Sequence, residues 1–322
     1  MSERFCDQDI VFSNGSAGEP VRIISANPVN YAAVMSGVGA LPEIEIDAKL
    51  FRPTKPSADL LPLVIVAPGS VGVAVSHLAH AETLTDMGIA ALVIDPFGAR
   101  SVTTTVANQT QFSFAASAYD VLAALQFAVT LPGIDPSRIG AQGHSRGGTA
   151  VLTAAMRQYS DAVRQGDEAL KAVYSVYPWA GHQFVMPHTG HVQTRIVIGE
   201  RDNWCSPQQA QGYAQAIGLA GGDISFRLFP DAEHSFDRQP PIEVTEDASV
   251  APNAPTIYID EVGGMIHPVS GMACTEATDR DMMVYGLKAG FGVTGASLGG
   301  KGDQPAEFTA DMTAFWRDAL LS

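Results

Sequence analysis

Several stretches of the chain are apolar at almost every position: Leu61–Ala67, Ile89–Ile94, Ala172–Tyr177 and Arg195–Gly199. Continuous runs of this length fit strands covered on both faces. Glu43–Leu50 alternates strictly instead, with Ile44, Ile46, Ala48 and Leu50 on one side. That pattern predicts a half-buried antiparallel strand near a sheet edge. Ile224–Phe229 reads as a further strand and Asp9–Phe12 as a short one, while the rest of residues 8–36 is small and turn-forming.

Helical periodicity fills the intervals. His77–Met87 forms one pattern, ended by Gly88. A second runs from about Ala115 to Thr130, with Val121, Ala124, Leu125 and Ala128 on one face. A third extends from Ser145 to about Gln165, and a fourth covers Gln208–Ile217 before Gly218. Strands alternating with helices predict an α/β fold with a mainly parallel central sheet and helices on both faces. Ligands on such sheets gather at the carboxyl ends of the strands.

Residues 238–305 break the rhythm. They open with Pro240-Pro241, carry Pro252 and Pro255, and offer a hairpin-like piece at Thr256–Ile266 before a glycine-rich stretch from Gly286 to Gly302. A final amphipathic helix places Phe308, Met312, Phe315, Trp316 and Ala319 on one face. The expected organisation is one domain over 1–322, with N-terminal strands in 1–55 and a C-terminal insertion over 238–305, lid-like or an interface. No internal repeat or second core is evident.

Composition narrows the partners. Hydrophobic residues make up 46% of the 322 and charged residues 16%, enough for a sizeable core. A net charge of −15 argues against nucleic acid or an anionic membrane surface as the main partner. Cys6, Cys205 and Cys274 are far apart and lack metal-ligand spacing. The acidic N-terminus lacks a signal-peptide pattern, and no run reaches the length of a membrane span. The expectation is a soluble, cytoplasmic protein; a homo-oligomer stays open.

The candidate chemistry centres on Gly143-His144-Ser145-Arg146-Gly147. This Gly-x-Ser-x-Gly string follows a short apolar run and precedes a helical pattern, as a nucleophile on a sharp strand-to-helix turn requires. The string alone should occur by chance roughly 0.2 times in such a chain, so context must decide. A serine nucleophile needs an imidazole base, and the imidazole needs a carboxylate to fix its tautomer. Asp202 falls just past the strand ending at Gly199, and His234 just past the strand ending at Phe229. Type, order and position therefore all fit a Ser145–His234–Asp202 triad, with Glu200 as a rival acid and Glu233 a neighbour that could make His234 an ordinary surface residue. The backbone N–H groups of Arg146 and of Ser70, in the loop after Ala67, are the candidate oxyanion donors.

A second match, Gly295-Ala-Ser-Leu-Gly299, has no strand before it, no helix directly after it and no histidine downstream. It nearly spells a phosphate loop through Lys301, but Gly302 replaces the Ser or Thr that would hold magnesium. It reads as a flexible glycine loop. His182, His188 and His191 cluster within ten residues, and His77 and His80 stand three apart. The first group reads as pocket lining rather than a zinc site and the second as the start of a helix. No metal and no cofactor is expected.

These residues resemble the dienelactone hydrolase branch of the α/β-hydrolase superfamily over roughly Leu61 to Asp237. The likeness rests on Pro68-Gly-Ser, Asp95–Arg100, Ile134–Ile139, the Ser145 turn, Tyr177-Pro-Trp179, Gly199–Asp202 with Trp204–Pro207, and Phe229–Phe236. It implies an α/β-hydrolase fold and hydrolysis of a small-molecule ester. The namesake enzymes use cysteine where this chain has Ser145, and their compact form lacks an insertion like 238–305. Arg100, His144, Trp179 and His182 are candidates for contact with substrate. Amide or peptide hydrolysis and acyl transfer by the same triad remain alternatives, as does a non-catalytic ligand-binding protein on this scaffold.

Overall fold

The computed structural model describes residues 4–37, 40–56, 58–164, 166–238 and 241–322. Gln165 and Pro240, named above, lie outside them. After a 3₁₀ turn at Phe5–Asp7 come β1 (Gly18–Ala26), α1 (Tyr31–Met35), β2 (Glu43–Phe51), β3 (Leu61–Ala67), α2 (Val75–Asp86) and β4 (Ala90–Asp95). Next are α3 (Phe114–Ala128), β5 (Ile134–His144), α4 (Arg146–Ala155), α5 (Arg157–Val163), β6 (Ala172–Val176) and β7 (His182–Phe184). Then follow β8 (Gln193–Gly199), α6 (Pro207–Leu219) and β9 (Ile224–Phe229). Residues 238–305 hold β10 (Glu243–Val250), β11 (Ile257–Ile259), β12 (Met265–Ile266), β13 (Ala273–Cys274), α7 (Asp279–Lys288) and β14 (Val293–Leu298), and α8 (Gln304–Trp316) follows.

The eight-stranded central sheet has the order β1-β2-β4-β3-β5-β6-β8-β9. Its strands run parallel from β4 to β9, and β1 and β2 are antiparallel at one side. Helices cover both faces, so β3 and β6 are buried at every residue, as their unbroken apolar runs require. α8 docks through Trp316, whose ring sits where a Cβ on Gly140 would come within 2.4 Å. The Trp316 indole N–H donates to Gln142 Oε1 at 2.8 Å, satisfying a polar group inside the core. No helix among the described residues is long and apolar enough to cross a membrane.

Three local expectations are corrected. The edge strand is β1, at residues 18–26, whereas Val11 in the predicted strand 9–12 makes only an isolated bridge to Ala17. β2 is buried on both faces over its second half, because the 3₁₀ turn covers the polar side. There the Arg4 guanidinium pairs with Asp47, and Lys49 Nζ donates to Cys6 O at 3.0 Å. The helix after Ser145 is two helices, broken where Met156 is extended and Arg157 N–H leaves to bond His188 O.

The described residues of the segment expected as an insertion are structured. Its Thr256–Ile266 piece supplies the antiparallel pair β11 and β12, as predicted, inside a small sheet ordered β13-β12-β11-β7. Gly295–Gly299 is not a flexible loop: residues 293–298 form β14, which pairs antiparallel with β10.

Candidate active site

At the end of β5 the backbone turns so sharply that Ser145 takes φ 55° and ψ −116°, and α4 starts at the next residue. A non-glycine residue at positive φ is strained and persists only where its surroundings hold it. Here the Ser145 N–H is fixed to Val176 O at 2.9 Å. The turn also explains its glycines, because a Cβ on Gly143 would lie 2.0 Å from Gly147 O, and one on Gly147 2.3 Å from Ala67 O. Gly69 packs against Ser145 in the same way, its notional Cβ 3.3 Å from the serine Cβ. The loop after β3 therefore borders the hydroxyl.

Ser145 Oγ lies 3.0 Å from His234 Nε2, and His234 Nδ1 lies 2.7 Å from Asp202 Oδ2. A carboxylate only accepts, so Nδ1 carries the ring proton and Nε2 is left to accept from the serine hydroxyl. The other Asp202 oxygen accepts the N–H groups of Trp204 at 2.9 Å and Cys205 at 2.8 Å. The Trp204 ring stacks on the imidazole at 5.3 Å, with Tyr177 4.6 Å away on another side. Glu200, the rival acid, is engaged elsewhere, accepting Asp231 N–H at 2.9 Å. Glu233 points to the insertion and accepts from Ser297 Oγ at 2.8 Å. The residue after β14 also holds the histidine backbone, since Gly299 N–H donates to His234 O at 2.7 Å.

A buried hydrogen-bond chain lies among the elbow, α2 and α8. His80 Nε2 donates to Asp237 Oδ2 at 2.7 Å and Tyr177 Oη donates to Asp237 Oδ1 at 2.7 Å. With its proton spent there, Tyr177 accepts from His144 Nδ1 at 3.0 Å, and His144 Nε2 accepts from Gln142 Nε2 at 3.0 Å. Burial opposes ionisation of Asp237, yet the His80 hydrogen bond and the nearby imidazoles hold its carboxyl well below the usual range. Burial pushes the His144 imidazole well below its ordinary value and takes His77 down to about 3. His80, His144 and Asp237 lie close enough together to suggest a metal, as do Asp202, Cys205 and His234. Both ring nitrogens of His144 and of His234, and Nε2 of His80, are already committed to hydrogen bonds. The sequence cluster His182, His188 and His191 is not among the sets brought together.

Ser145 opens into a pocket continuous with solvent. Trp179 and His182 line it; Arg100 and His144 do not. The Arg100 guanidinium is spent on Asp120 at 2.8 and 3.2 Å, Asn27 Oδ1 and Pro96 O, which corrects its expected contact with substrate. His144 is corrected likewise, being locked in the buried chain. Ser70 and Arg146 border the pocket beside Ser145, and their backbone N–H groups have no protein acceptor among the described residues. The Arg146 side chain is sandwiched between Phe112 and Phe114 at 4.2 and 4.3 Å, and burial draws its guanidinium down to about 10.

Much of the remaining wall comes from the insertion: Val250, Ile257, Asp279, Met282, Met283 and Leu287. Sequence reasoning missed these. One signal was present, because Thr278 and Asp281 form a capping box that announces α7. Burial raises the Asp279 carboxyl to about 6 and lowers His182 to about 3.

Comparison with known proteins agrees with this architecture. Residues 46–258 match the dienelactone hydrolase family, which is more than half of the chain. No sequence match was found among curated proteins. A solved structure described only as m3DLH is 16% identical with a TM-score of 0.54, over 94% of this chain and 99% of that one. Esterase Est22 is 16% identical with a TM-score of 0.50, covering 70% of this chain and 75% of its own. Est1E from Butyrivibrio proteoclasticus is 18% identical with a TM-score of 0.44, over 59% and 86% respectively. At these identities m3DLH and Est22 show a shared fold. The family match shows that this chain belongs to the dienelactone hydrolase family, so its class of chemistry is hydrolysis.

Proposed function

We propose that this dienelactone hydrolase family member cleaves carboxylic esters of small molecules with Ser145 as its nucleophile. The observation that carries the reading is the unbroken chain from Ser145 Oγ to His234 at 3.0 Å and on to Asp202 at 2.7 Å, at the floor of an open pocket. His234 Nε2 takes the hydroxyl proton as Ser145 Oγ attacks the acyl carbon. Asp202 holds the ring in the tautomer that makes this transfer feasible and stabilises the imidazolium that results.

The negative oxygen of the tetrahedral intermediate is received by the N–H groups of Ser70 and Arg146. Each such donor contributes about 2.7–4 kcal/mol where one has been removed in other enzymes. The imidazolium then protonates the leaving alcohol, and water, deprotonated by the same His234, releases the acid from Ser145. Apolar walls from Phe114, Trp179, Met282 and Leu287 suit an apolar acyl or alcohol body.

A fluorophosphonate probe tests the nucleophile. The expected result is one adduct, on Ser145, and p-nitrophenyl ester turnover lost in Ser145→Ala. Unchanged turnover in that variant, or folded protein that takes up no probe at Ser145, would overturn the proposal.

A further inference from the structure

Among the apolar walls of the pocket stands one carboxylate that the proposed hydrolysis does not use. Asp279 is 7% exposed; its Oδ2 accepts Phe114 N–H at 2.7 Å, while its Oδ1 is buried with no hydrogen-bond partner among the described residues. An ionised oxygen left unpaired in a buried site is costly, and such groups call for a physical explanation. The surrounding protein does not supply one. Arg146 is the nearby cation, but its guanidinium donates to Ser117 Oγ, Gln109 O and Phe112 O. His182 Nδ1 is 3.8 Å from Asp279 Oδ1, beyond hydrogen-bond reach, and lies 3.3 Å from Tyr31 Oη. Both Asp279 and His182 border the same cavity as Ser145.

We propose that Asp279 Oδ1, with His182 beside it, forms a polar subsite for a hydroxyl group on an otherwise apolar ester. A hydroxyl donates its proton to the free carboxylate oxygen and needs no counter-charge. A carboxylate on the substrate would be repelled by Asp279, and an ammonium would meet the Arg146 guanidinium in the same pocket. The aromatic faces of Phe114 and Trp179, 4.5 Å apart in a stack, with Met282 and Met283, accommodate the apolar body. The inference deepens the serine-esterase reading by naming its substrate class, and it rests on that reading only for turnover.

Matched ester pairs test it: methyl phenylpropanoate against its para-hydroxyl derivative, and hexyl acetate against its terminal hydroxyl derivative. Together the pairs cover the acyl and alcohol sides. Wild type is expected to favour the hydroxyl member of at least one pair by about tenfold or more in kcat/KM, because a site built to bond a hydroxyl rejects the analogue without it. Asp279→Val removes every hydrogen-bonding atom that a substrate hydroxyl could use there and should erase the preference. Asp279→Ala serves if that variant does not fold. The same pairs titrated against Ser145→Ala by tryptophan fluorescence give a readout independent of catalysis. Equal treatment of every pair in both turnover and binding overturns the subsite, as does a preference that survives Asp279→Val. Selective binding without turnover by wild type would keep the subsite and sink the esterase reading; turnover without selectivity would do the reverse.

Discussion

Replacing Asp202 with asparagine should disable the site through proton placement alone. Asp202 Oδ1 accepts two backbone N–H groups, at 2.9 and 2.8 Å, and Oδ2 faces His234 Nδ1 at 2.7 Å. An asparagine must keep its carbonyl oxygen toward the two N–H donors. Flipping it would set an amide NH₂ against them, at about 1–3 kcal/mol for each acceptor lost. The amide NH₂ therefore faces Nδ1 and donates to it, which moves the ring proton to Nε2. That nitrogen lies 3.0 Å from Ser145 Oγ and can no longer accept the hydroxyl proton. The equivalent exchange in a serine protease lowers kcat on the order of 10⁴-fold. A similar loss is expected here, equal to about 5.4 kcal/mol of activation free energy. The assay is kcat on a p-nitrophenyl ester at about pH 7.5, with thermal melts of both proteins to show that the fold is kept. An Asp202→Asn enzyme within about tenfold of wild type would refute the tautomer argument, and Asp202 would lose its assigned role.

Three further outcomes follow from the same geometry. Gly143→Ala places a Cβ 2.0 Å from Gly147 O, backbone against backbone, and should cost about 3 kcal/mol or more by chemical denaturation; a loss under about 1 kcal/mol would mean the turn can relax. Arg100→Met leaves Asp120, buried and hydrogen-bonded to Ser25 at 2.6 Å, without its cation. Stability should fall by about 3–5 kcal/mol while turnover per folded molecule holds, and a raised KM at unchanged stability would restore the substrate role. Asp279 has a folded-state pKa raised from 3.8 to about 6, mainly by burial, so it favours folding while protonated and that contribution is lost as pH rises through this window. Above about pH 7 the wild type then carries a penalty on the order of 3 kcal/mol that Asp279→Asn lacks. The variant's advantage in urea midpoint should grow between about pH 4 and pH 7, and a gap that stays constant with pH would count against it.

β3, β4 and β6 were legible because helices cover both faces of the sheet there, and burial on both faces leaves an almost unbroken apolar run. The elbow was legible because sterics allow only glycine at Gly143 and Gly147. β1 was hidden because Gly18 and Pro20 interrupt its pattern, and its pairing with β2 is what keeps it extended. The short β7 exists because β11 lies beside it, a contact between distant parts of the chain. Arg100 shows the limit for single residues. Its partner Asp120 lies on α3, and only the packing of α3 against the loop distinguishes an internal ion pair from a substrate contact.

The insertion has two physical roles, and they are coupled. Through Ile257, Met282 and Leu287 it supplies pocket wall, and through Ser297 and Gly299 it holds the loop that carries His234. The second Gly-x-Ser-x-Gly string therefore acts on the site without sharing the first one's chemistry. Ser145 sits at φ 55° on a turn that lifts its hydroxyl to an imidazole. Ser297 sits in β14, its hydroxyl spent on Glu233, while Gly295 at φ +89° and Gly299 at φ +125° lie against β10 and the residues that lead into it. A Cβ on Gly299 would fall 2.9 Å from Pro241 O, so the tightness there is set by backbone against backbone. Changes that loosen β14 should thus appear in the Ser145–His234 distance before they alter the pocket wall, because Gly299 N–H holds His234 O directly at 2.7 Å.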